Sequence, residues 1–355
     1  MTSPRDIKPP DVAPRPGRRK RYSGTHPQRF AERYKELDPQ AHPEVVERVI
    51  ASGRTPAGSH LPIMVDAVIR ALAPAPGQTL VDCTLGHGGH AAALIPLLRP
   101  GGRVIALDVD PLELPRTEER LRAMGCGPDE LIIQRTNYAA LVAALTATGV
   151  EHVHGVLADL GCSSMQYDDP TRGFSYKHGG PLDLRMNPQK GKPAWTLIER
   201  WTVAELAQAL TDLSDEPLAP MLAAAIKSIA TPRTTTALAE AIKRAINRLP
   251  ARERPEDLRP TLARVFQALR IAVNDELSTL DRLLEQVPAV LAPGGRVAIL
   301  TFHSGEDRRV KHAFRAGLDA GVYTAISDEP ERATPEERRR NPRAGSAKLR
   351  WAVRA

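Results

Sequence analysis

Three acids stand at the ends of short apolar runs: Asp82 in TLVDCT, Asp108 in GRVIALDVD and Asp159 in HVHGVLADL. Between the first two lies GHGGHA, residues 86–91, which formally satisfies G-x-G-x-x-G/A, and Asp108 follows Gly86 and Gly88 by 22 and 20 positions. That is the spacing of a dinucleotide fingerprint. A carboxylate at the end of a second strand can accept both hydroxyls of a ribose, so loop and acid together indicate an adenosine cofactor without choosing one. Asp82 favours a choice. An acid beside the glycine loop is unfavourable next to a pyrophosphate, whereas S-adenosylmethionine carries no phosphate and does carry a sulfonium cation. A second role for Asp82, accepting hydrogen bonds from loop amides, is compatible with this.

Asp159 opens LADLGCSSMQYDDP. An acid leaving the carboxyl edge of a parallel strand enters the ligand crevice, between cofactor and substrate. Methylation of an amine asks little of a general base, because the nitrogen lone pair attacks and positioning carries much of the rate. Asp159 or the carbonyls after it can accept a hydrogen bond from that nitrogen; the plainer reading is a turn or helix cap.

The elements that would hold these residues alternate. TLVDCT, GRVIALDVD, LIIQR and HVHGVLADL read as strands, separated by helical stretches AAALIPLLR, PLELPRTEERLRAMG and YAALVAALTATG. This is a series of βαβ units around a buried parallel sheet. Arg296 of the next strand, GRVAILTF, lies 137 positions after Asp159 (296 minus 159). A crossover needs on the order of 30 residues, leaving roughly 100 in surplus. They read as helices, ending in a long VFQALRIAVNDELSTLDRLLEQV, and therefore as an inserted helical domain. The C-terminal AKLRWAVRA alternates apolar and basic residues and reads as an edge strand. The expected fold class is α/β, a Rossmann-like methyltransferase sheet with an all-helical recognition insertion. Its boundaries are an extension 1–58, a first catalytic part 59–165, the insertion 166–262 and a second catalytic part 263–355.

The 355 residues are 42% apolar and 26% charged, with three separated cysteines, Cys83, Cys126 and Cys162. Without CxxC spacing these argue against a zinc site or disulfide framework and suit a reducing cytoplasm. No apolar run is long enough for a membrane span or a secretory leader. Residues 1–35 hold ten Lys/Arg against three Asp/Glu, so the net charge of +7 (49 minus 42) resides in this arm and the remainder sums to zero. With Tyr22, Phe30 and Tyr34 the arm is suited to nucleic acid, or is simply a solvated tail.

Taken in order, VDCTLGHGGH, ADLGCSSMQYDDPTRGFSYKHGGPLDLRM, FQALRIAVNDEL, LAPGGRVAILTFHSGEDR and NPRAGSAKLR resemble the bacterial 16S rRNA (cytosine-N(4))-methyltransferases known as the MraW family. The resemblance covers roughly residues 60–355. It implies adenosylmethionine as cofactor and methylation of the exocyclic amine of a cytidine in the decoding region of small-subunit rRNA. By matching positions it implies that Gly88, Gly89, His90, Asp108, Tyr138, Asp159 and Gln166 contact the cofactor. It also implies that rRNA, free or in the assembled subunit, is the partner; the oligomeric state stays open. Plainer roles for three of these are a helix cap (His90), a core aromatic (Tyr138) and loop hydrogen bonding (Gln166). His303 and Ser304 in TFHSGEDR stand where a substrate would be touched, or cap a helix beside an Asp307–Arg308 pair. Asp183 and Arg185 would shape the entrance to the insertion. Arg343, Lys348 and Arg350 would hold RNA or solvate the edge strand. His152 and His154 lack a third ligand and read as structural rather than metal-binding. The chain departs from the family pattern at Gly305, in LSDEP (213–217) and at Arg259-Pro260, all on the substrate side. Competing readings are an amino-methyltransferase acting on DNA or another RNA, a nicotinamide-dependent oxidoreductase, and a non-catalytic RNA-binding module.

Overall fold

The computed structural model describes residues 62–177 and 179–355. The basic arm lies outside the described residues.

After a first helix α1 (Val65–Leu72), the chain alternates β1 (Thr79–Asp82), α2 (Gly89–Leu98), β2 (Arg103–Asp108), α3 (Leu114–Ala123), β3 (Leu131–Arg135), α4 (Leu141–Ala147) and β4 (Val153–Asp159). A short α5 (Ser164–Asp168) leads into five helices: α6 (Ala194–Arg200), α7 (Val203–Ser214), α8 (Ala219–Lys227), α9 (Thr235–Asn247) and α10 (Arg259–Asn274). The sheet resumes through α11 (Glu276–Val290) and β5 (Leu291–Thr301). It closes with α12 (Ser304–Asp319), β6 (Tyr323–Ile326), β7 (Glu331–Arg332), α13 (Pro335–Arg340) and β8 (Lys348–Arg354).

Strand order is β3-β2-β1-β4-β5-β8-β6, with β7 also on β8. The first five strands are mutually parallel and β8 runs antiparallel to its neighbours. This is a Rossmann-like sheet, parallel through β5 and continued by the antiparallel β8. Chain order reverses at β1, so the crevice at the carboxyl ends of β1 and β4 is the ligand position of such a sheet. The strands are apolar on both sides because both faces are covered: Val104, Ile105, Ala106 and Leu107 are completely buried. One face packs on α1 and α2, the other on α4, α11 and α12. A third apolar core, from Phe174 to Leu269, joins α6 to α10 and shares no buried residue with the other two.

Two expectations are corrected. The stretch VFQALRIAVNDELSTLDRLLEQV is two helices, broken at Asp275 with φ 52° and ψ 42°. Aspartate tolerates this left-handed conformation, and the break lets α10 complete the third core while α11 packs under the sheet. The C-terminal strand is not an edge: β8 lies between β5 and β6. Arg350 is 3% exposed, and its charge is met by Asp307, Nε to Oδ1 at 2.7 Å. Asp307 also takes Lys348 at 2.8 Å, so its partners are these two residues from β8 rather than Arg308.

Candidate active site

The carboxyl ends of β1 to β5 open into a cavity of about 620 Å³, roofed by the 175–177 segment and α10, and by residues 341–346. Its volume falls in the range of about 300–1,000 Å³ typical of small-molecule sites.

The glycine loop is held from behind. Asp108 accepts the Gly86 amide on Oδ2 (2.7 Å) and the Asp110 amide on Oδ1 (2.8 Å) and lines the cavity; a carboxylate oxygen has two lone pairs, so each can accept a further hydrogen bond. Thr117 Oγ1 donates to the Gly86 carbonyl at 2.6 Å. A Cβ on Gly88 would come within 2.8 Å of Leu121 Cδ1, and one on Gly89 within 2.8 Å of Pro62 Cβ. The two glycines are therefore required first by the loop's own packing against α3 and Pro62. The ligand side of the same loop lines the cavity.

Asp82 sits beneath that loop, 1% exposed, accepting the Thr84 amide at 3.0 Å. Burial, offset in part by His90, pushes its carboxyl up to about 6. His90 is buried with Nε2 3.0 Å from the Ile63 carbonyl oxygen and Nδ1 3.7 Å from Asp159 Oδ2. Burial lowers its basicity, against the pull of Asp82. Asp159 is fixed by its amide, which donates to Thr84 Oγ1 at 2.7 Å. Its Oδ1 is buried with no hydrogen-bond partner in the protein. Burial, and then the nearby Glu306, raise its carboxyl to about 7. Three acids around one loop make a poor seat for a pyrophosphate and a good one for a cation.

Tyr138 follows β3 in a 3-10 turn and lines the cavity, its hydroxyl pushed well above the ordinary tyrosine value by burial. Gln166 also borders the cavity, but both ends of its amide are engaged. Nε2 donates to Asp110 Oδ2 at 2.8 Å and Oε1 accepts the Ser163 amide at 3.0 Å, forming a capping box for α5. His303 lines the cavity with Nε2 3.1 Å from Glu306 Oε1, an ion-pair distance without hydrogen-bond alignment. Ser304 does not line it: its hydroxyl donates to Asp215 Oδ2 at 2.8 Å, tying α12 to the end of α7. Ser304 and Asp215 thus bring together two of the stretches, around Gly305 and LSDEP, in which the sequence departs from the family pattern. Asp183 and Arg185 pair with each other, Nε to Oδ1 and Nη2 to Oδ2 both at 2.7 Å, beside Met186 on the cavity wall. His154 Nδ1 accepts the Thr79 amide at 3.2 Å, and His152 is exposed.

Residues 57–355 match the MraW methylase family. The chain belongs to that family. It is 46% identical over 342 residues to "Ribosomal RNA small subunit methyltransferase H 1" of Lachnoclostridium phytofermentans, covering 95% of this chain and 93% of that one. Identity is also 46% to "Ribosomal RNA small subunit methyltransferase H 2" of Alkaliphilus metalliredigens, with 95% and 97% covered. "Ribosomal RNA small subunit methyltransferase H" of Symbiobacterium thermophilum is 39% identical over 313 residues, with 83% and 96% covered. The first two matches cover more of the chain than residues 57–355, so they reach into the basic extension.

Two buried ionic groups of this MraW-family site escape a reading of the sequence. Asp110, 2% exposed, receives Arg172 Nη1 at 2.9 Å, while Arg172 Nη2 holds the Met186 carbonyl at 2.8 Å. This pair ties the β2 loop to the start of the helical region across 62 positions. Arg270 grips Glu276 with two bonds of 2.8 Å and lies 3.3 Å from Cys162 Sγ, spanning the break at Asp275. Glu276 holds Arg270 cationic despite its burial. The only hint in the sequence was the acid two positions after Asp108 and the arginine and glutamate flanking the helix break.

Proposed function

We propose that this chain methylates the exocyclic N4 amine of a cytidine in the decoding region of small-subunit rRNA, using S-adenosylmethionine. One observation carries the reading. Among the described residues, every buried side-chain polar atom left without a hydrogen bond belongs to Asp159, His303 or Arg343, and all three line the one cavity at the sheet's switch point. Buried polar groups are otherwise satisfied; His303 Nε2 has Glu306 Oε1 at 3.1 Å, so Asp159 Oδ1 and Arg343 Nη1 are the atoms free to engage a ligand. When bound, S-adenosylmethionine supplies a methyl group activated by the sulfonium, transferred to N4 as the carbon–sulfur electron pair remains on sulfur.

The chain's own residues bind, orient and accept. Asp108 faces the ribose with its spare lone pairs, Tyr138 flanks the adenine, and Gly88, Gly89 and His90 carry the loop along the amino-acid end. Gln166 acts at one remove, by fixing Asp110 and with it the Asp108 loop. Asp159 Oδ1 accepts a hydrogen bond from the amine, localises its lone pair and takes the proton released after transfer. A carboxyl near 7 can do both at neutral pH. His303 borders the base, and Ser304 braces the helical region instead of touching substrate. Residues 59–165 and 263–355 form the catalytic part and 166–262 the recognition insertion, a division supported by the separate third core, which runs on to Leu269. The basic arm, residues 1–35 of the 1–58 extension, adds sequence-independent grip on RNA.

The substrate, and the free cysteines Cys83, Cys126 and Cys162, fit a cytoplasmic enzyme; no described helix is long and apolar enough to cross a membrane. Nucleoside analysis of small-subunit rRNA tests the reading. N4-methylated cytidine should disappear when the gene is removed and return with it; an unchanged nucleoside profile would refute the assignment.

A further inference from the structure

Arg343 lies in a 3-10 turn between α13 and β8, on the wall of the cavity. Its Nη2 donates to Asp168 Oδ1 at 2.8 Å. An arginine facing a carboxylate commonly uses both arms of its fork. Here Asp168, at the end of α5, takes one arm only, and Nη1 is buried without a partner. The other arginine of the cavity is spent: Arg270 gives two nitrogens to Glu276 and its third lies against Cys162. The remaining charged lining is acidic, with Asp108, Asp110, Asp159, Glu276 and Glu306 among it, apart from Lys177, whose side chain is exposed. A negative oxygen entering this cavity would be repelled by most of its wall and attracted at Arg343.

We propose that Arg343, aimed by Asp168, is the anion-binding residue of the cavity, its Nη1 donating to a carboxylate or phosphate oxygen of the bound ligands. The inference rests on the methyltransferase reading and deepens it. Two sources carry that chemistry: the amino-acid carboxylate of the cofactor, and a phosphate next to the target cytidine.

Calorimetric titration of the full-length chain with S-adenosylhomocysteine and with 5′-methylthioadenosine, which lacks the amino-acid end, separates them. If Arg343 holds the cofactor carboxylate, Arg343→Gln weakens S-adenosylhomocysteine binding by about 10-fold or more and leaves methylthioadenosine unchanged. If it holds a phosphate, both nucleoside affinities stay at wild-type values and KM for unmethylated small-subunit rRNA rises about 10-fold. Arg343→Lys, keeping the charge without the fork, should recover part of either loss. Asp168→Asn should give a smaller loss of the same kind, as befits a positioning residue. Equal weakening of both nucleosides, or variants that shift only the melting temperature, would overturn the proposal. Failure of the wild-type chain to bind S-adenosylhomocysteine would instead strike the methyltransferase reading itself.

Discussion

The cavity has two walls of opposite character. Along the β1–β2 side the functional groups are held by partners within the protein: Asp108 by the loop amides, Gln166 and Arg172 by Asp110, Asp82 by Thr84. On the other side, from β4 round to β5 and the 341–346 segment, Asp159 Oδ1 and Arg343 Nη1 are buried with no hydrogen-bond partner, and His303 has the Glu306 carboxylate at ion-pair distance. Saturated networks rigidify, whereas an unpaired buried polar atom is costly unless something arrives to meet it. The first wall is the mould and the second does the work, so damage to the first should appear as lost stability and damage to the second as lost rate.

The comparison can be broken most severely at Arg172. Arg172→Met leaves the Asp110 carboxylate buried without its counter-charge, and should destabilise the fold by about 3–5 kcal/mol, read as a lower denaturant midpoint. Adding Asp110→Asn should recover part of the loss. A stable single variant would remove the scaffold role of that wall. Next comes Asp159→Asn, which should lower kcat about 100- to 1,000-fold with no loss of stability. The same variant sharpens the contrast through pH. Because the folded carboxyl is raised to about 7 from an ordinary value near 3.8, the folded state binds more protons in that interval and loses stability as pH rises. Asp159→Asn should therefore be more stable than wild type at pH 8, on the order of 1 kcal/mol or more, with the gap closing toward pH 4. A gap that is constant with pH would contradict the buried, raised carboxyl. Gln166→Ala should cost about 1–2 kcal/mol through the α5 cap and Asp110, and alter cofactor affinity only in step with stability. Smallest is Lys348→Ala, since the half-open Lys348–Asp307 pair is worth about 0–1 kcal/mol. RNA affinity should not change; a clear drop would return Lys348 to the substrate side.

What the sequence disclosed follows the same division. Each strand of the parallel sheet was legible because continuous apolar runs between helices have few alternatives, and Asp108 because loop spacing fixes its place. Local signals also located Asp159 at a strand end. The role of β8 was not legible: alternation looks alike in an edge strand and in one whose basic residues meet a buried Asp307. Nor were the pairs Asp110–Arg172 and Ser304–Asp215, whose members are 62 and 89 positions apart. Nothing local marks a partner at that distance. The break at Asp275 was hidden by apolar periodicity that runs through it, although α10 and α11 serve different cores.

The central claim is that the unsaturated wall, with Asp159 at its centre, receives a phosphate-free cation donor. The most direct measurement is the affinity for S-adenosylmethionine at pH 6 and pH 8, with NAD as the comparator. A sulfonium favours the ionised carboxylate, so below about 7 binding must first remove a proton from Asp159; affinity should rise by up to about 10-fold from pH 6 to 8. In Asp159→Asn the rise should vanish, and NAD should not bind. Tight binding of NAD, or an S-adenosylmethionine affinity indifferent to both pH and Asp159, would contradict the account.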